Sequence, residues 1–294
     1  MNNISIVTCS MNREGHLNKT IPNLNKLLNI NEHIIIDWSS ENLLQKNLQT
    51  NSKIKIYRVE NEYIWWHNRA YNLAFYIAES EYILKIDADV LLDYEKFNKL
   101  NYENYDLVIF HYSSNDPGNY LIKKDLIKKI NGLNEYMWQW GWQDHDIINR
   151  ALKHSDKVKY LDLKDYISKI EHKNETRNLV NVKNIFKNKE LFFYAYMKAT
   201  NDTNVFIAKN NTWKNNDLLS YTIKDNIASI NHLYDLKSLN FFFKIRYKYK
   251  LINSFFKIYK QQSKYLKRIV PIVLIFLPKN YLRKIFSIQL YPNQ

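Results

Sequence analysis

The 294-residue sequence contains little glycine or proline and a single cysteine. With four glycines and five prolines, it has no flexible or proline-rich linker to mark a domain boundary. Because Cys9 stands alone, an intramolecular disulfide is excluded and a reducing compartment is expected. Neither the glycine-rich dinucleotide fingerprint nor the Walker-type phosphate loop occurs, so the sequence does not predict either nucleotide site.

Long hydrophobic runs are also lacking. The longest strongly apolar run, residues 269–277, is far shorter than the roughly 20 residues that a membrane-spanning helix needs. The first residues have no basic segment followed by a long apolar stretch, so they predict an opening strand and not a secretion signal. Together these features predict a cytoplasmic protein.

Positive charge is concentrated at one end of the chain. The net charge is +14, and residues 237–294 hold thirteen Lys and Arg with no acid, whereas the rest is close to neutral. Aromatic and aliphatic residues interleave with these cations, which predicts a basic amphipathic region, 236–294, bound peripherally to an anionic membrane. The alternative is a helical subdomain that packs its apolar stripe on the rest of the protein. Nucleic acid is not expected, because that partner leaves the run 269–277 unexplained.

Strand and helix patterns alternate along the first half of the chain. Apolar runs predict strands at 4–9, 33–38, 53–59, 81–92 and 106–112. Helical periodicity is found at 17–28, 67–80, 120–132 and 146–154. This alternation predicts an α/β fold with a doubly wound, mostly parallel sheet. Such sheets bind ligands beyond the carboxyl ends of their strands.

Polar residues follow three of the predicted strands. Asn12 and Arg13 come after the first strand, Asp37 ends the second, and Asp87 and Asp89 end the fourth. Period-two alternation predicts that the last two carboxylates point the same way. Close carboxylates repel each other unless a cation neutralises them, and a divalent metal would also keep positions free for phosphate oxygens. The simpler alternative is an ordinary exit from a strand into a loop.

The segment "WQWGWQDHD", residues 138–146, combines three of the seven tryptophans with two acids and a histidine. Indole rings stack on the apolar faces of sugars, and a neighbouring carboxylate can accept the proton of an attacking hydroxyl. The alternative is a hydrophobic staple whose acids, Asp144 and Asp146, stabilise the start of the next helix. His172, near another strand end, is a further candidate metal ligand, although a lone histidine is also a common surface or core residue.

These segments resemble a known family. The run from Ile130, "INGLNEYMWQWGWQDHDIINRAL", is similar to the acceptor-site signature of the β-1,4-galactosyltransferase family and its bacterial chondroitin-synthase-like relatives. "NREGHL", "HNRAYNLAF", "DADVLL" and "IEHKN" resemble further motifs of that family, in the same order, between Asn12 and Asn174. "IIIDWSS" resembles the broader family-two transferases. The resemblance covers a little over half of the chain.

The resemblance implies a GT-A glycosyltransferase that uses a UDP-sugar and Mn²⁺ or Mg²⁺ and inverts the anomeric carbon. It makes Asp144 the catalytic base and gives the metal to Asp89 and His172, with Asp87 supporting the metal or the ribose. The predicted nucleotide-sugar contacts are Cys9, Asn12, Arg13, Asp37, Arg69 and Asp87. The predicted donor- and acceptor-sugar contacts are Trp138, Trp140, Gly141, Trp142, Gln143, His145 and Asp146. Trp140 would belong to a mobile loop that closes over both substrates.

The sequence departs from the family pattern at four positions. Gln143 and His145 stand where the family has acids, and Trp142 stands where it has a glycine. Lys169 stands in place of a methionine metal ligand. The donor sugar, the acceptor and the full metal shell therefore stay open.

The resulting domain prediction is a GT-A catalytic domain, 1–235, followed by the basic region 236–294. Within the former, 1–112 would bind the nucleotide sugar and 113–180 the acceptor, while 181–235 is unassigned. The predicted reaction moves galactose or an N-acetylhexosamine to a glycan or glycolipid of a bacterial capsule or lipooligosaccharide. Two alternatives are a nucleotidyltransferase, which normally has a glycine-rich basic loop after its first strand, and a non-catalytic carbohydrate-binding protein, which would need neither Asp87, Asp89 nor His172.

Overall fold

A computed structural model describes residues 3–48, 51–62, 65–111, 118–137, 139–171, 189–210, 213, 221–231 and 241–262. The strands are β1 (Ile4–Ser10), β2 (Ile30–Trp38), β3 (Ile54–Val59), β4 (Tyr82–Lys85), β5 (Val90–Leu92), β6 (Leu107–His111), β7 (Tyr120–Lys123), β8 (Val158–Asp162), β9 (Ile167–Lys169), β10 (Tyr221–Lys224) and β11 (Ile227–Ile230). The helices are α1 (Glu14–Leu24), α2 (Leu44–Asn47), α3 (His67–Ile77), α4 (Tyr94–Asn98), α5 (Lys124–Ile130), α6 (Gln143–Leu152), α7 (Leu163–Tyr166), α8 (Lys189–Lys209) and α9 (Phe241–Gln262).

Nine strands form the main sheet in the order β10-β11-β3-β2-β1-β4-β7-β6-β8. The run from β11 to β4 is parallel, as is the pair β6 and β8, whereas β7 runs antiparallel to both of its neighbours. Strands β5 and β9 form a separate antiparallel pair. The prediction of a mostly parallel α/β sheet is confirmed.

The centre of the sheet is covered on both faces. Every residue of β1 is buried, and alternate side chains enter different clusters: Val7 and Cys9 lie in one, Ile4 and Ile6 in the other. The first cluster also contains the apolar face of α3. A strand buried on both faces reads as a continuous apolar run, which explains the "ISIVTC" pattern.

The predicted strand 81–92 is wrong in one respect, because the structure divides it into β4 and β5. Asp87 and Asp89 lie in the connecting turn, where the amide of Val90 donates to the carbonyl of Asp87 (3.1 Å). The amide of Asp87 is bound by the side-chain oxygen of Asn119 (2.9 Å) and not by a neighbouring strand. Period-two alternation therefore does not apply to the two aspartates.

The predicted helix 120–132 is also only partly right. Residues Tyr120–Ile122 are at most 1% exposed and form the strand β7 between β4 and β6, so the helix begins at Lys124. It ends as expected, with Asn131 left-handed (φ 61°) and Gly132 at φ +59°. The first predicted helix, 17–28, is too long at its end. In the structure α1 ends at Leu24, and Leu28, beyond it, is 62% exposed.

The part of the basic region that the structure describes packs against the preceding segment. On α9, Tyr247, Leu251 and Ile252 are buried in the same cluster as Ala195 and Tyr196 of α8. One face of α9 therefore packs on the preceding helix, as the alternative prediction of a packed helical subdomain expects. Across the described ranges, no helix is both long and apolar enough to cross a membrane. The apolar run 269–277 lies outside the described residues.

Candidate active site

Lys85 connects the two acids that the sequence predicts for opposite sides of the reaction. Asp87 follows β4, and Asp144 lies in the first turn of α6. The ammonium nitrogen of Lys85 is 2.9 Å from Oδ1 of Asp87 and 3.2 Å from Oδ1 of Asp144. The predicted donor-side acid and the predicted base thus face one common site.

Asp87 is held by a phenol as well as by the ammonium. The hydroxyl of Tyr71 on α3 donates to Oδ1 of Asp87 (3.0 Å). Burial opposes ionisation of this carboxyl, but the charges of Lys85 and His67 outweigh it, and the pKa of Asp87 lies below its usual range. Burial and the nearby carboxylate raise the pKa of Tyr71, so it stays a hydrogen-bond donor.

His67, the first residue of α3, adds a titratable group to this cluster. Its ring lies 4.7 Å from that of Tyr71, and its Nδ1 is 3.0 Å from the side-chain oxygen of Asn68. Burial lowers the pKa of His67, although the charge of Asp144 opposes the shift. At neutral pH the site therefore combines a neutral imidazole with the ionised carboxylate of Asp87.

The loops after β1 and β2 brace each other at the edge of the sheet. The amide of Asn12 donates to Oγ of Ser40 (2.9 Å), and the side-chain oxygen of Asn12 accepts from the amide of Glu41 (2.8 Å). Asn12 has a left-handed backbone (φ 57°), which asparagine tolerates better than most residues. Arg13, the residue before α1, follows on this edge and is partly buried.

Asp37 lies within β2 and is almost fully buried. Its Oδ2 accepts from Nη1 of Arg58 (2.6 Å), and its Oδ1 accepts from the amide of Ser40 (3.0 Å). Arg58 is the register partner of Asp37 on β3. The structure thus gives Asp37 a direct part in shaping this edge, and its contact with a nucleotide stays a prediction.

Arg69 and Cys9 lie inside the protein. The guanidinium of Arg69 is 3.3 Å from the ring centroid of Trp66, and its Nε is 3.6 Å from Oε2 of Glu135. Burial raises the pKa of Glu135 to about 7 despite the nearby guanidinium. Burial also raises the pKa of the Cys9 thiol, which stays protonated. Nucleotide contact by either residue stays a prediction.

The loop before α6 rests on α8. Oγ1 of Thr200 donates to the carbonyl of Trp140 (3.0 Å), and Nδ2 of Asn204 donates to the carbonyl of Gly141 (2.8 Å). Gly141 has φ +103°, and a Cβ there would lie 2.5 Å from the side-chain oxygen of Asn201. A side chain at position 141 is therefore excluded by both backbone strain and space. Trp138 lies outside the described residues.

Within this loop, Trp140 is 42% exposed and so has apolar surface to offer a ligand. Trp142 has a left-handed backbone (φ 68°), and its ring lies 4.8 Å from that of His145. The side-chain Nε2 of Gln143 donates to the carbonyl of Gln139 (2.8 Å), which closes the loop onto the start of α6. Whether these side chains contact sugars, and whether the loop moves, stay predictions.

The two acids at the start of α6 have different surroundings. Asp146 is 7% exposed and pairs with Arg150 one helical turn later (2.8 Å). Arg150 in turn donates to the carbonyl of Ile130 at the end of α5. This geometry gives Asp146 a structural role, in line with the alternative reading of these acids, whereas the side chain of Asp144 is 20% exposed beside Lys85.

The three predicted metal ligands differ in how well their surroundings suit direct contact with a metal ion. Asp87 already accepts two hydrogen bonds on one oxygen, which suits a supporting position. Asp89 is partly exposed, and its carbonyl accepts from the amide of Ile170 (2.8 Å), two residues before His172 in the sequence. His172 itself lies outside the described residues, and among those described no group of three His, Cys, Asp or Glu could hold a metal ion. A carboxylate donor at Asp89 suits Mn²⁺ or Mg²⁺.

Comparison with known proteins agrees with this arrangement. Residues 99–173 match the family described as the N-terminal domain of galactosyltransferase. The catalytic domain of Drosophila β1,4-galactosyltransferase 7, in complex with xylobiose, superposes with a TM-score of 0.51 at 15% identity, over 80% of this chain and 95% of that chain. The chain has the GT-A fold. Residues 1–349 of S. aureus TarS are similar over 93% of this chain and 77% of that chain, with a TM-score of 0.50 and 13% identity.

The comparisons confirm the predicted GT-A fold. The match of residues 99–173 agrees with the predicted resemblance to galactosyltransferases. No curated protein sequence matches the chain. Four residues of this candidate site were not singled out from the sequence: Arg58, His67, Tyr71 and Lys85. Lys85 carried a visible signal, since a lysine is unexpected within an apolar strand. His67 and Tyr71 lie in the segment "HNRAYNLAF", which resembles a family motif.

Proposed function

We propose that the protein is an inverting, metal-dependent glycosyltransferase that moves galactose or an N-acetylhexosamine from a UDP-sugar to an acceptor hydroxyl. The observation that carries the proposal is the common contact of Asp87 and Asp144 with Lys85. A donor bound beside Asp87 and an acceptor bound beside Asp144 would meet in one site, as a direct displacement requires.

In the proposed step, Asp144 accepts the proton of the acceptor hydroxyl while its oxygen attacks the anomeric carbon. The bond between that carbon and the diphosphate oxygen breaks, and UDP leaves with the bonding electrons. Bound Mn²⁺ or Mg²⁺, held by Asp89 and His172, would supply positive charge beside the diphosphate. Asp87 would support this group or the ribose, and Arg13 would lie near the nucleotide. Trp140 would cover the sugars with its exposed indole.

The solved relatives support this choice of substrates and cofactor. A mutant of the Drosophila enzyme was solved with manganese, UDP-Gal and xylobiose, and TarS was solved with UDP-GlcNAc. The TarS structures come from a bacterium, which supports a bacterial acceptor. We therefore propose a capsule or lipooligosaccharide glycan as the acceptor.

A panel of UDP-sugars tests the proposal. With Mn²⁺ and a glycan acceptor, we expect one donor to release UDP much faster than without the acceptor, and chelation to abolish the release. The measurement is UDP formed per enzyme per second. A nucleotidyltransferase would instead release pyrophosphate from a nucleoside triphosphate, and a carbohydrate-binding protein would release neither product.

We also propose that the basic region holds the protein on the cytoplasmic face of an anionic membrane. Support comes from α9, where Phe241, Phe242, Ile245 and Tyr249 are between 41% and 71% exposed. At 100° per residue these four side chains fall on one stripe of the helix. Lysines and one arginine interleave with them, and the helix contains no acid. This combination is typical of helices that lie in a membrane interface.

Substitution of this stripe is expected to release the protein from vesicles. The full-length triple variant Phe241→Ser, Phe242→Ser, Tyr249→Ser should bind vesicles containing phosphatidylserine at least about tenfold more weakly, because each lost apolar anchor weakens insertion. Cosedimentation measures the effect. Deletion of the region is a poorer test, since α9 also covers α8.

Leu28→Ser, which removes an apolar side chain that is 62% exposed elsewhere, provides the matched control and should bind like the wild type. Undiminished binding by the triple variant, or equal binding of the wild type to neutral vesicles, would contradict the proposal.

A further inference from the structure

Lys85 is a fully buried lysine at the carboxyl end of a central strand. Its side chain is 0% exposed, and its register partners are Val7 on β1 and Tyr120 on β7. Lysine is almost never fully buried unless it is paired, because a buried ammonium loses its hydration. Its neighbours must therefore compensate for this loss.

Three acceptors from three separate segments surround the ammonium of Lys85. Oδ1 of Asp87 accepts a hydrogen bond at 2.9 Å and the carbonyl of Gly118 accepts a second, while Oδ1 of Asp144 is ion-paired at 3.2 Å. The contact with Asp144 is an ion pair, since its Oδ1 has no hydrogen-bond partner among the described residues. The ring of Tyr71 also faces the nitrogen, 4.3 Å from its centroid. These contacts fix the position of the nitrogen.

The position of this nitrogen decides the position of Asp144. In the absence of a cation, the carboxylates of Asp87 and Asp144 would repel each other across the site. The side chain of Asp144 is 20% exposed and could then turn towards solvent. No other ion pair to Asp144 is found among the described residues.

We infer that Lys85 is a positioning residue that holds the carboxylate of Asp144 against the donor side of the active site. The inference rests on the proposed function, because it assigns Lys85 an effect on turnover that passes through the proposed base. A purely structural ion pair would instead contribute to folding and leave the function of Asp144 unchanged.

A double-mutant cycle with Lys85→Met and Asp144→Asn separates these roles. We expect Lys85→Met alone to lower kcat about 10- to 100-fold, the range typical of residues that orient a functional group. In the Asp144→Asn background the same change should lower kcat less than about threefold. Lys85→Arg, which keeps a cation, should recover part of the loss. Lys128→Met, which removes a lysine that is 63% exposed, is the matched control and should turn over like the wild type.

Equal fold-losses from Lys85→Met in the two backgrounds would overturn the inference and leave the proposed function standing. If the wild type transferred no sugar from any donor, the proposed function and the inference would both be lost. Thermal unfolding of each variant shows whether it is folded. Should Lys85→Met not fold, the cycle is run with Lys85→Arg, whose displaced charge should lower kcat in the wild-type background only.

Discussion

Asp144→Asn is expected to lower kcat for sugar transfer by about 10²–10⁴, the usual contribution of a general base. Asparagine has nearly the same shape and still offers an oxygen to the ammonium of Lys85, which lies 3.2 Å from Oδ1 of Asp144. It cannot accept the proton of the acceptor hydroxyl. Donor affinity should therefore change less than about threefold, and the loss should appear in turnover. Steady-state kinetics and calorimetric binding of the donor measure the two quantities separately.

Asp125→Asn is a suitable control for this variant. Asp125 occupies the first turn of α5, as Asp144 occupies the first turn of α6, but its side chain is 91% exposed and pairs with Lys128 at the surface. It should keep full activity. Turnover of Asp144→Asn within fivefold of the wild type would show that another group accepts the proton, and His67, close enough to interact electrostatically with Asp144, would then be the next residue to test.

The sequence predicted most of the parallel half of the sheet because those strands are buried on both faces and read as continuous apolar runs. It failed where short apolar segments are ambiguous between strand and helix. "YLIK" continues directly into the helical pattern of α5, so its assignment to β7 depends on its neighbours β4 and β6. The hairpin of β10 and β11 had a local signal, since Asp225 and Asn226 form its two-residue turn with φ 51° and 63°.

The candidate site was only partly visible in the sequence. Acids at strand ends, and the tryptophans before α6, follow recognisable patterns and identified Asp87 and Asp144. The contact between these two segments is made by Lys85 and depends on how α6 packs over the end of β4, which no local pattern encodes. Similarly, the sequence predicted a nucleotide contact for Asp37 from its position at the end of a strand. Its hydrogen-bond partner, Arg58, is determined by the register between β2 and β3.

Asp89→Asn is expected to lower transfer by about 10²–10³ and to weaken Mn²⁺ binding in the presence of UDP. The carboxylate of Asp89 is partly exposed in the turn before β5 and, in the proposal, directly balances the charge of the ion. An amide at this position keeps an oxygen but loses the negative charge, so stabilisation of the departing diphosphate decreases. Calorimetric titration of Mn²⁺ into the protein with UDP gives the affinity independently of turnover.

Asp93→Asn distinguishes loss of a ligand from a general effect on this turn. Asp93, four residues after Asp89, caps the start of α4 by accepting a hydrogen bond from the amide of Lys96 (3.0 Å). Asparagine is an equally good capping residue. Its substitution should leave both Mn²⁺ affinity and turnover unchanged. If Asp89→Asn bound Mn²⁺ and UDP like the wild type while Asp87→Asn did not, the direct ligand would be Asp87. Lys85 would then have to share that carboxylate with the metal.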